Sequence, residues 1–398
     1  MQKVFENIKG DRLIWAIVSL LAILSFMPVY SAASDLAYDR YNGNTFTLAV
    51  KHFVHLSLGF VIMYLVHKIP YHYFKGLSLF AIPIVLVLLV ITMMQGTVMG
   101  GASASRWIRI PFVGVSFQTS TFASVVLMVY VARYISKIKG KVITFKSSIL
   151  PLWLPVFCVL GLILPSNFST AAIIFLMVSI LVFTGGYPVR YLLFIFGLGI
   201  IGLALFVMVA KLSSGPLHVK VNTWENRIKN YSNSEVTEAD YQIEKAKIAI
   251  ASGGVYGMGP GKSIQKNFLP QSSSDFIFAI IIEEYGLVGG LVLIALYLGL
   301  LFRIVVVAQK AETIFGRLLV LGGGLPIVLT ALINMAVAVE LFPVTGQTLP
   351  LISSGGTSIW MTCLSIGIVL SVSAKRDHVK RKQNLSNDAL DVLKETVS

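Results

Sequence analysis

An acidic residue stands where a long polar segment meets an apolar run. Asp275 follows the serines at 272–274 and precedes the apolar residues 276–282. As a helix N-cap, its carboxylate would accept backbone N–H bonds and meet the helix dipole. The functional alternative is a carboxylate held at the edge of a membrane beside a cationic loop. Glu283 and Glu284 follow in the same apolar stretch, where acids are costly and either serve a function or face a polar core.

The polar segment before Asp275, at about residues 211–274, carries many charges. Helical spacing places Ile243, Ala246 and Ile250 on one face of a predicted helix, which Gly253 and the next glycine would end. The opposite face holds Tyr241, Lys245, Ile248 and Ser252, and a glycine-rich turn follows at 257–263. A long loop with such internal order is typical of a functional segment. It suits a substrate that is itself anchored in the membrane.

The composition predicts the elements that position these residues. Hydrophobic residues make up 56% of the 398 positions and charged residues 13%, against about 25% charged in soluble proteins. A membrane-spanning helix needs roughly 20 apolar residues. The sequence therefore predicts an all-α polytopic membrane protein with about ten transmembrane helices and a long outer loop, 211–274, between spans 7 and 8. The predicted spans are 13–30, 46–67, 74–94, 117–134, 149–164, 169–183, 191–210, 276–302, 318–341 and 349–372.

The distribution of positive charge predicts the orientation. Lysine and arginine are concentrated in one set of short loops and in the tail, so the positive-inside rule places both termini in the cytoplasm. The net charge of +14 is mostly this bias and requires no nucleic-acid partner. We predict a multi-pass protein of the cytoplasmic (inner) membrane, with one membrane domain, 1–374, and a cytoplasmic tail, 375–398. The first apolar stretch is interpreted as an uncleaved helix and not as a signal peptide.

Three segments of the chain resemble a known family. They are 106–108 with 117–118; 248–254 continuing to 268–270 and 275–279; and Asn334 with the string at 343–358, Pro-Val-Thr-Gly-Gln-Thr-Leu-Pro-Leu-Ile-Ser-Ser-Gly-Gly-Thr-Ser. Together they are similar to the SEDS family (shape, elongation, division and sporulation), and the resemblance covers nearly the whole chain. Within the family, the long string fits both the division and the elongation branch. We expect the division branch and keep the elongation branch as an alternative.

The resemblance implies a peptidoglycan glycosyltransferase that uses lipid II. It makes Asp275 the catalytic residue, as a general base for the acceptor hydroxyl. The departing lipid pyrophosphate needs positive charge, and a divalent ion, Mg²⁺ or Mn²⁺, can share that task, although no clustered ligand motif announces one. The implied partners are a class B penicillin-binding protein, which cross-links, and other membrane proteins of the division machinery. The substrate-binding candidates are Arg106, Trp107, Gln118, Lys245, Lys247, Lys262, Ser353, Gly355 and Gly356.

Several positions depart from the family pattern. Where the family has Gln-Pro-Ser-Glu and a later Lys, this chain has Thr121 and Ser124 at the two charged positions. Ser273 and Ser274 replace the usual His-Thr, and Lys245 replaces a Gln. These departures keep a non-catalytic scaffold for division proteins open as an alternative. A lipid II flippase is the other alternative, but it needs polar residues along a path through several spans, and here they are concentrated outside.

Overall fold

The computed structural model describes residues 9–32, 45–95, 98–99, 102–103, 107–109, 116–141, 143–212, 221, 238–269 and 272–374. Within these ranges, nine helices are long and apolar enough to cross a membrane, and a tenth apolar helix is shorter. This confirms the predicted all-α fold with about ten spans. In chain order the spans are α1 (Arg12–Ala32), α2 (Thr45–Val66), α3 (Tyr73–Gln95), α4 (Thr119–Ile138), α5 (Phe145–Ile163), α6 (Phe168–Thr184), α7 (Val189–Leu212), α9 (Ile277–Gln309), α10 (Ile314–Ala338) and α11 (Gly356–Ala374).

The observed bounds differ from the predicted ones where the backbone leaves the α-helical form. In α5 a π-helical turn, Ile149–Trp153, separates Phe145–Ser148 from Leu154–Ile163. The last span begins at Gly356 and not at 349, because residues 343–355 form an irregular segment. Non-helical backbone at this depth is tolerated only where protein covers it. The tail at 375–398 lies outside the described residues.

The core is built around α10 and α11. Their most apolar windows are 61% and 78% buried, whereas the window of α7 is only 11% buried. Glycines on α10 permit this close packing: a Cβ added at Gly324 would come within 2.6 Å of the Ile304 side chain on α9. Tyr297 of α9 is fully buried, and its hydroxyl donates to the carbonyl oxygen of Pro350 at 2.5 Å. The irregular segment is thus held inside the protein.

At one end of the bundle, Asp11 joins three spans. Its carboxylate accepts from the backbone N–H groups of Leu13 (3.1 Å) and Ile14 (3.2 Å), which caps α1. It also pairs with Arg303 of α9, and its own N–H donates to Ser373 Oγ of α11 at 2.9 Å. This partly buried pair links α1 to α9 at this end of the bundle.

Two short antiparallel hairpins connect α3 with α4. The first pairs β1 (Val98–Met99) with β2 (Ala102–Ser103). The second pairs β3 (Trp107–Arg109) with β4 (Ser116–Gln118), in a register that sets Trp107 opposite Gln118. Two residues of the first family segment are thereby placed side by side, while Arg106 lies outside the described residues.

The segment 211–274, predicted to be an outer loop and called the outer loop below, contains a helix, α8 (Glu238–Gly253), that packs along α9. Its buried face holds Ile243, Ala246 and Ala249, and it ends at the predicted glycines, with Gly254 in the left-handed region at φ 53°. The helix that it packs on is 33 residues long and broken at Gly286, whose φ is 69°. The sequence predicted α8 but did not predict the break.

Candidate active site

Asp275 lies at the start of α9, in a backbone that is fixed from two sides. The buried amide of Asn334 on α10 donates both to the Asp275 carbonyl oxygen and to that of Gln347, each at 2.7 Å. The first helical residue is Ile277 and Phe276 occupies the cap position. Asp275 therefore stands one residue before the assigned cap position.

The irregular segment 343–355 holds the residues immediately before Asp275. Ser353 Oγ donates to the Ser274 carbonyl oxygen at 2.5 Å and accepts from the Leu349 N–H at 2.8 Å. The backbone N–H of Ser354 donates to the Ser273 carbonyl oxygen at 3.0 Å. Two of these bonds use main-chain carbonyl oxygens of the serine run, Ser273 and Ser274, so the irregular segment fixes the path of the backbone that leads into Asp275. Ser353 is buried and acts through backbone contacts in this arrangement.

The two glycines at the end of this segment differ in their surroundings. A Cβ on Gly356 would lie 2.3 Å from His55 Cδ2, whereas one on Gly355 would make only ordinary contacts. His55 also stacks on Trp360, with ring centroids 5.5 Å apart. Gly356 therefore brings the start of α11 against α2, and Gly355 leaves space beside the segment.

The second hairpin is joined to the same helix end. The backbone N–H of Gln118 donates to Thr357 Oγ1 at 3.3 Å, and Trp107 is the strand partner of Gln118. Four of the predicted substrate-binding residues, Trp107, Gln118, Gly355 and Gly356, thus lie on elements that meet at the start of α11. Thr121, at the position where the family carries an acid, donates its hydroxyl to the Gln118 carbonyl oxygen at 2.8 Å.

The three predicted lysines of the outer loop lie in different surroundings. Lys245 is half-buried with its ammonium 5.2 Å from the ring centroid of Tyr241. Lys247 pairs with Glu340, in the turn that follows α10, and both side chains are about half exposed. Lys262 is exposed in the glycine-rich turn. Lys266 has a structural task, because its ammonium donates to the Gly261 carbonyl oxygen (2.8 Å) and to Ser31 Oγ (3.2 Å).

Glu283 and Glu284 are fully buried and anchor the glycine-rich turn. The Glu283 carboxylate accepts from the Ser263 hydroxyl and from the N–H groups of Ile264 (3.0 Å) and Gln265 (3.2 Å). The Glu284 carboxylate accepts from the hydroxyl of Ser31 at the end of α1. Both acids therefore face protein groups of the outer loop and of α1. The sequence left their role open, and Ser31 and Ser263 were not singled out.

Metal binding was also left open by the sequence. The described residues bring together no group of three His, Cys, Asp or Glu side chains. We therefore assign no residues to a divalent ion and derive no chemical step from one.

Known proteins resemble this chain over nearly its full length. The probable peptidoglycan glycosyltransferase FtsW of Trichlorobacter lovleyi is 31% identical over 380 residues, which cover 94% of this chain and 96% of the relative. The stage V sporulation protein E of Bacillus subtilis is 29% identical over 367 residues, covering 91% and 96%.

Solved structures share the fold. One, described as "Structural coordination of polymerization and crosslinking by a peptidoglycan synthase complex", superposes with a TM-score of 0.70 at 25% identity, covering 92% of this chain and 97% of the other. The rod shape determining protein RodA of Thermus thermophilus gives a TM-score of 0.64 at 25% identity, covering 92% and 96%. The family model described as "Cell cycle protein", FtsW/RodA/SpoVE, matches residues 11–378, and the chain belongs to this family.

Proposed function

We propose that this protein polymerises lipid II into glycan strands on the outer face of the cytoplasmic membrane, with Asp275 as general base. The enzyme class, peptidoglycan glycosyltransferase, follows from membership of the family. One observation carries the role of Asp275: the backbone around it is fixed by Asn334 and by Ser353, and it precedes the helix cap. A fixed backbone restricts where the Asp275 carboxylate can lie, which suits general-base catalysis because the proton acceptor must be positioned before the reaction.

The reaction that we assign is a displacement at the anomeric carbon of the donor sugar. The acceptor hydroxyl attacks that carbon, a new C–O bond forms, and the bond to the lipid pyrophosphate breaks. The hydroxyl proton passes to the Asp275 carboxylate. The pyrophosphate departs as an anion with the electron pair of the broken bond, so it requires positive charge and no proton.

The cations of the outer loop are the proposed source of this positive charge. Lys245 and Lys262 lie on α8 and on the turn after it, and neither is fully buried. Lys247 is engaged with Glu340, so its availability to a substrate depends on opening an exposed ion pair, which costs little. Preorganised positive groups of this kind stabilise a developing anion.

Septal wall synthesis during cell division is the proposed setting, in keeping with relatives that carry the name FtsW. The proposed partner is a class B penicillin-binding protein. A complex in which polymerization and crosslinking are coordinated contains a chain of this fold, which supports such a partner. We place both termini in the cytoplasm from the positive-inside rule.

The test of the catalytic role is Asp275→Asn, assayed by glycan-chain assembly from lipid II. The amide keeps the size of the side chain but cannot take up the acceptor proton at neutral pH, so we expect a loss of roughly a hundredfold or more in rate. Thermal unfolding and lipid II binding should stay near those of the parent. Glu244→Gln, on the exposed side of α8, is the matched control. Assembly at near the parent rate would assign the chemistry to another residue.

The scaffold and flippase alternatives are separated by one further measurement. The purified protein is assayed for lipid II polymerisation alone and with its cognate transpeptidase. Glycan product in either case supports the polymerase, provided that Asp275→Asn abolishes it. Translocation of lipid II between leaflets without glycan product would support the flippase, and absence of both activities would support the scaffold.

A further inference from the structure

The turn that follows α8 exposes apolar side chains although it belongs to the polar outer loop. Residues 255–258, here called the 255–258 turn, include Tyr256, which is 85% exposed, and Val255, which is 56% exposed. Contiguous exposed apolar surface on a loop marks an interaction site. The exposed surface continues onto α9, where Leu287 and Leu291 are 52% and 55% exposed.

Backbone hydrogen bonds join the 255–258 turn to the break in α9. The N–H of Leu287 donates to the Gly254 carbonyl oxygen at 2.9 Å, and the N–H of Met258 donates to that of Glu283 at 2.9 Å. The two segments approach closely. A Cβ on Gly257 would lie 2.2 Å from the Glu284 carbonyl oxygen, and a Cβ on Gly286 would lie 2.2 Å from the Val255 carbonyl oxygen. The 255–258 turn is therefore fixed at the level of Gly286 along the axis of α9.

The length of α9 indicates where the 255–258 turn lies relative to the membrane. From Leu287 to Gln309 the helix rises about 34 Å at roughly 1.5 Å per residue, close to the roughly 30 Å hydrocarbon thickness of a bilayer. Its far end carries Lys310 and, on the last turns, Arg303 paired with Asp11. With Lys310 at one boundary, Gly286 lies at the opposite boundary, and the Arg303–Asp11 pair lies about 10 Å inside the first boundary. Glu283 and Glu284 precede Gly286, so they lie at or beyond this boundary.

We propose that the 255–258 turn is inserted into the headgroup region of the membrane, with Tyr256 as its aromatic anchor. The occupant of the exposed surface is lipid, because that surface is continuous with the face that α9 presents to the bilayer. Tyrosine is enriched at this depth, where its ring is apolar and its hydroxyl reaches water. Lys262, exposed a few residues later, can extend its ammonium to lipid phosphates.

This docking sets the height of α8 above the bilayer. Because the turn starts two residues after Gly253, the last residue of α8, the helix ends at the membrane surface. Its lysines would then lie near the level of a lipid pyrophosphate. This consequence rests on the proposed function, whereas the docking itself rests only on the exposed surface and on the length of α9.

The test measures the depth of position 256 in the full-length protein in lipid nanodiscs. Cys158 is replaced by alanine, while the fully buried Cys363 is kept, and a nitroxide label is attached at Tyr256→Cys. Collision of the label with oxygen, which partitions into lipid, is compared with collision with a water-soluble nickel chelate. Matched labels at Glu244→Cys and Leu291→Cys report the water-exposed side of α8 and the exposed face of α9.

We expect the oxygen-to-nickel ratio at 256 to be several-fold above that at 244 and below that at 291. A ratio equal to that at 244 would overturn the proposal. A label that is accessible to nickel in the protein alone, and protected only when the transpeptidase is added, would also overturn it and assign the surface to a protein partner. Neither result bears on the Asp275 assay, so the two proposals fail separately.

Discussion

Replacing Glu283 is expected to release the glycine-rich turn while leaving the spans intact. Its buried carboxylate accepts three donors: the Ser263 hydroxyl and the N–H groups of Ile264 and Gln265. In Glu283→Ala all three lose their acceptor. In Glu283→Gln one oxygen remains for the two N–H groups, and the serine hydroxyl can rotate. The two substitutions therefore separate loss of the acceptor from loss of the charge.

The magnitude follows from the number of donors. An unpaired buried donor costs about 1–3 kcal/mol, and Ile264 is half exposed, so water can reach the site and the lower figure applies. Three donors then give about 3 kcal/mol for Glu283→Ala, equivalent to roughly a hundredfold at about 1.4 kcal/mol per tenfold. For Glu283→Gln we expect about 1 kcal/mol, or roughly fivefold, from the lost charge-assisted bond.

Hydrogen exchange measured by mass spectrometry gives these factors directly. Peptides that cover residues 258–268 should exchange about a hundredfold faster in Glu283→Ala, while peptides of α10 are unchanged. Glu244→Ala removes an exposed acid from the same loop and should alter neither. Unchanged exchange at 258–268 in Glu283→Ala would refute the anchoring role, since no local contact would then depend on the carboxylate.

Two further substitutions test how α8 is held. Gly253→Ala should destabilise the protein by about 2 kcal/mol or more, measured by thermal unfolding, because its Cβ would lie 2.1 Å from the Ile282 carbonyl oxygen; Gly197→Ala, where nothing lies within 4 Å, should be neutral or stabilising by up to about 1 kcal/mol. Glu340→Gln should change stability by less than about 1 kcal/mol, but it should raise the rate of glycan-chain assembly from lipid II because it releases Lys247. An unchanged rate in both Glu340→Gln and Lys247→Ala would show that this lysine is not part of the site.

Much of the fold could be predicted because the signals for membrane spans are local. Length and apolarity place ten spans, and the pattern of Ile243, Ala246 and the terminal glycines places α8. The bounds are wrong where the cause is distant. The last span starts at Gly356 because partners such as Tyr297 and Asn334 hold the preceding segment in a non-helical path. Pro350, Gly355 and Gly356 indicate a bent segment, but they do not indicate which partners hold it.

The break at Gly286 shows the same limit more clearly. Glycine is common in membrane helices, and the apolar run continues on both sides of residue 286. The break becomes visible only when Gly254 and Val255 supply carbonyl partners for Leu287 and Val288. Their pairing requires two segments about thirty positions apart in the sequence to meet, and helical periodicity contains no information on such a contact.

The candidate site was predictable to a different degree. Resemblance to the family identified Asp275 and the string 343–358, but it could not show how they are joined. The structure shows Ser353 and Asn334 binding the main chain next to Asp275, so their contribution is to position a backbone. A pattern of residue types cannot distinguish a serine that binds substrate from one that binds a carbonyl oxygen.

The two neighbouring acids, Glu283 and Glu284, connect the broken helix α9 with the outer loop and with α1. The acids lie just before the break at Gly286, where donors from Ser31 and from the turn at 263–265 reach them. These bonds offset part of the cost of burying two carboxylates, and they bring the end of α1 and the outer loop to one place. The buried acids, the broken helix and the 255–258 turn are thus joined by hydrogen bonds into one arrangement, and the proposed membrane docking of the turn would extend this arrangement to the lipid.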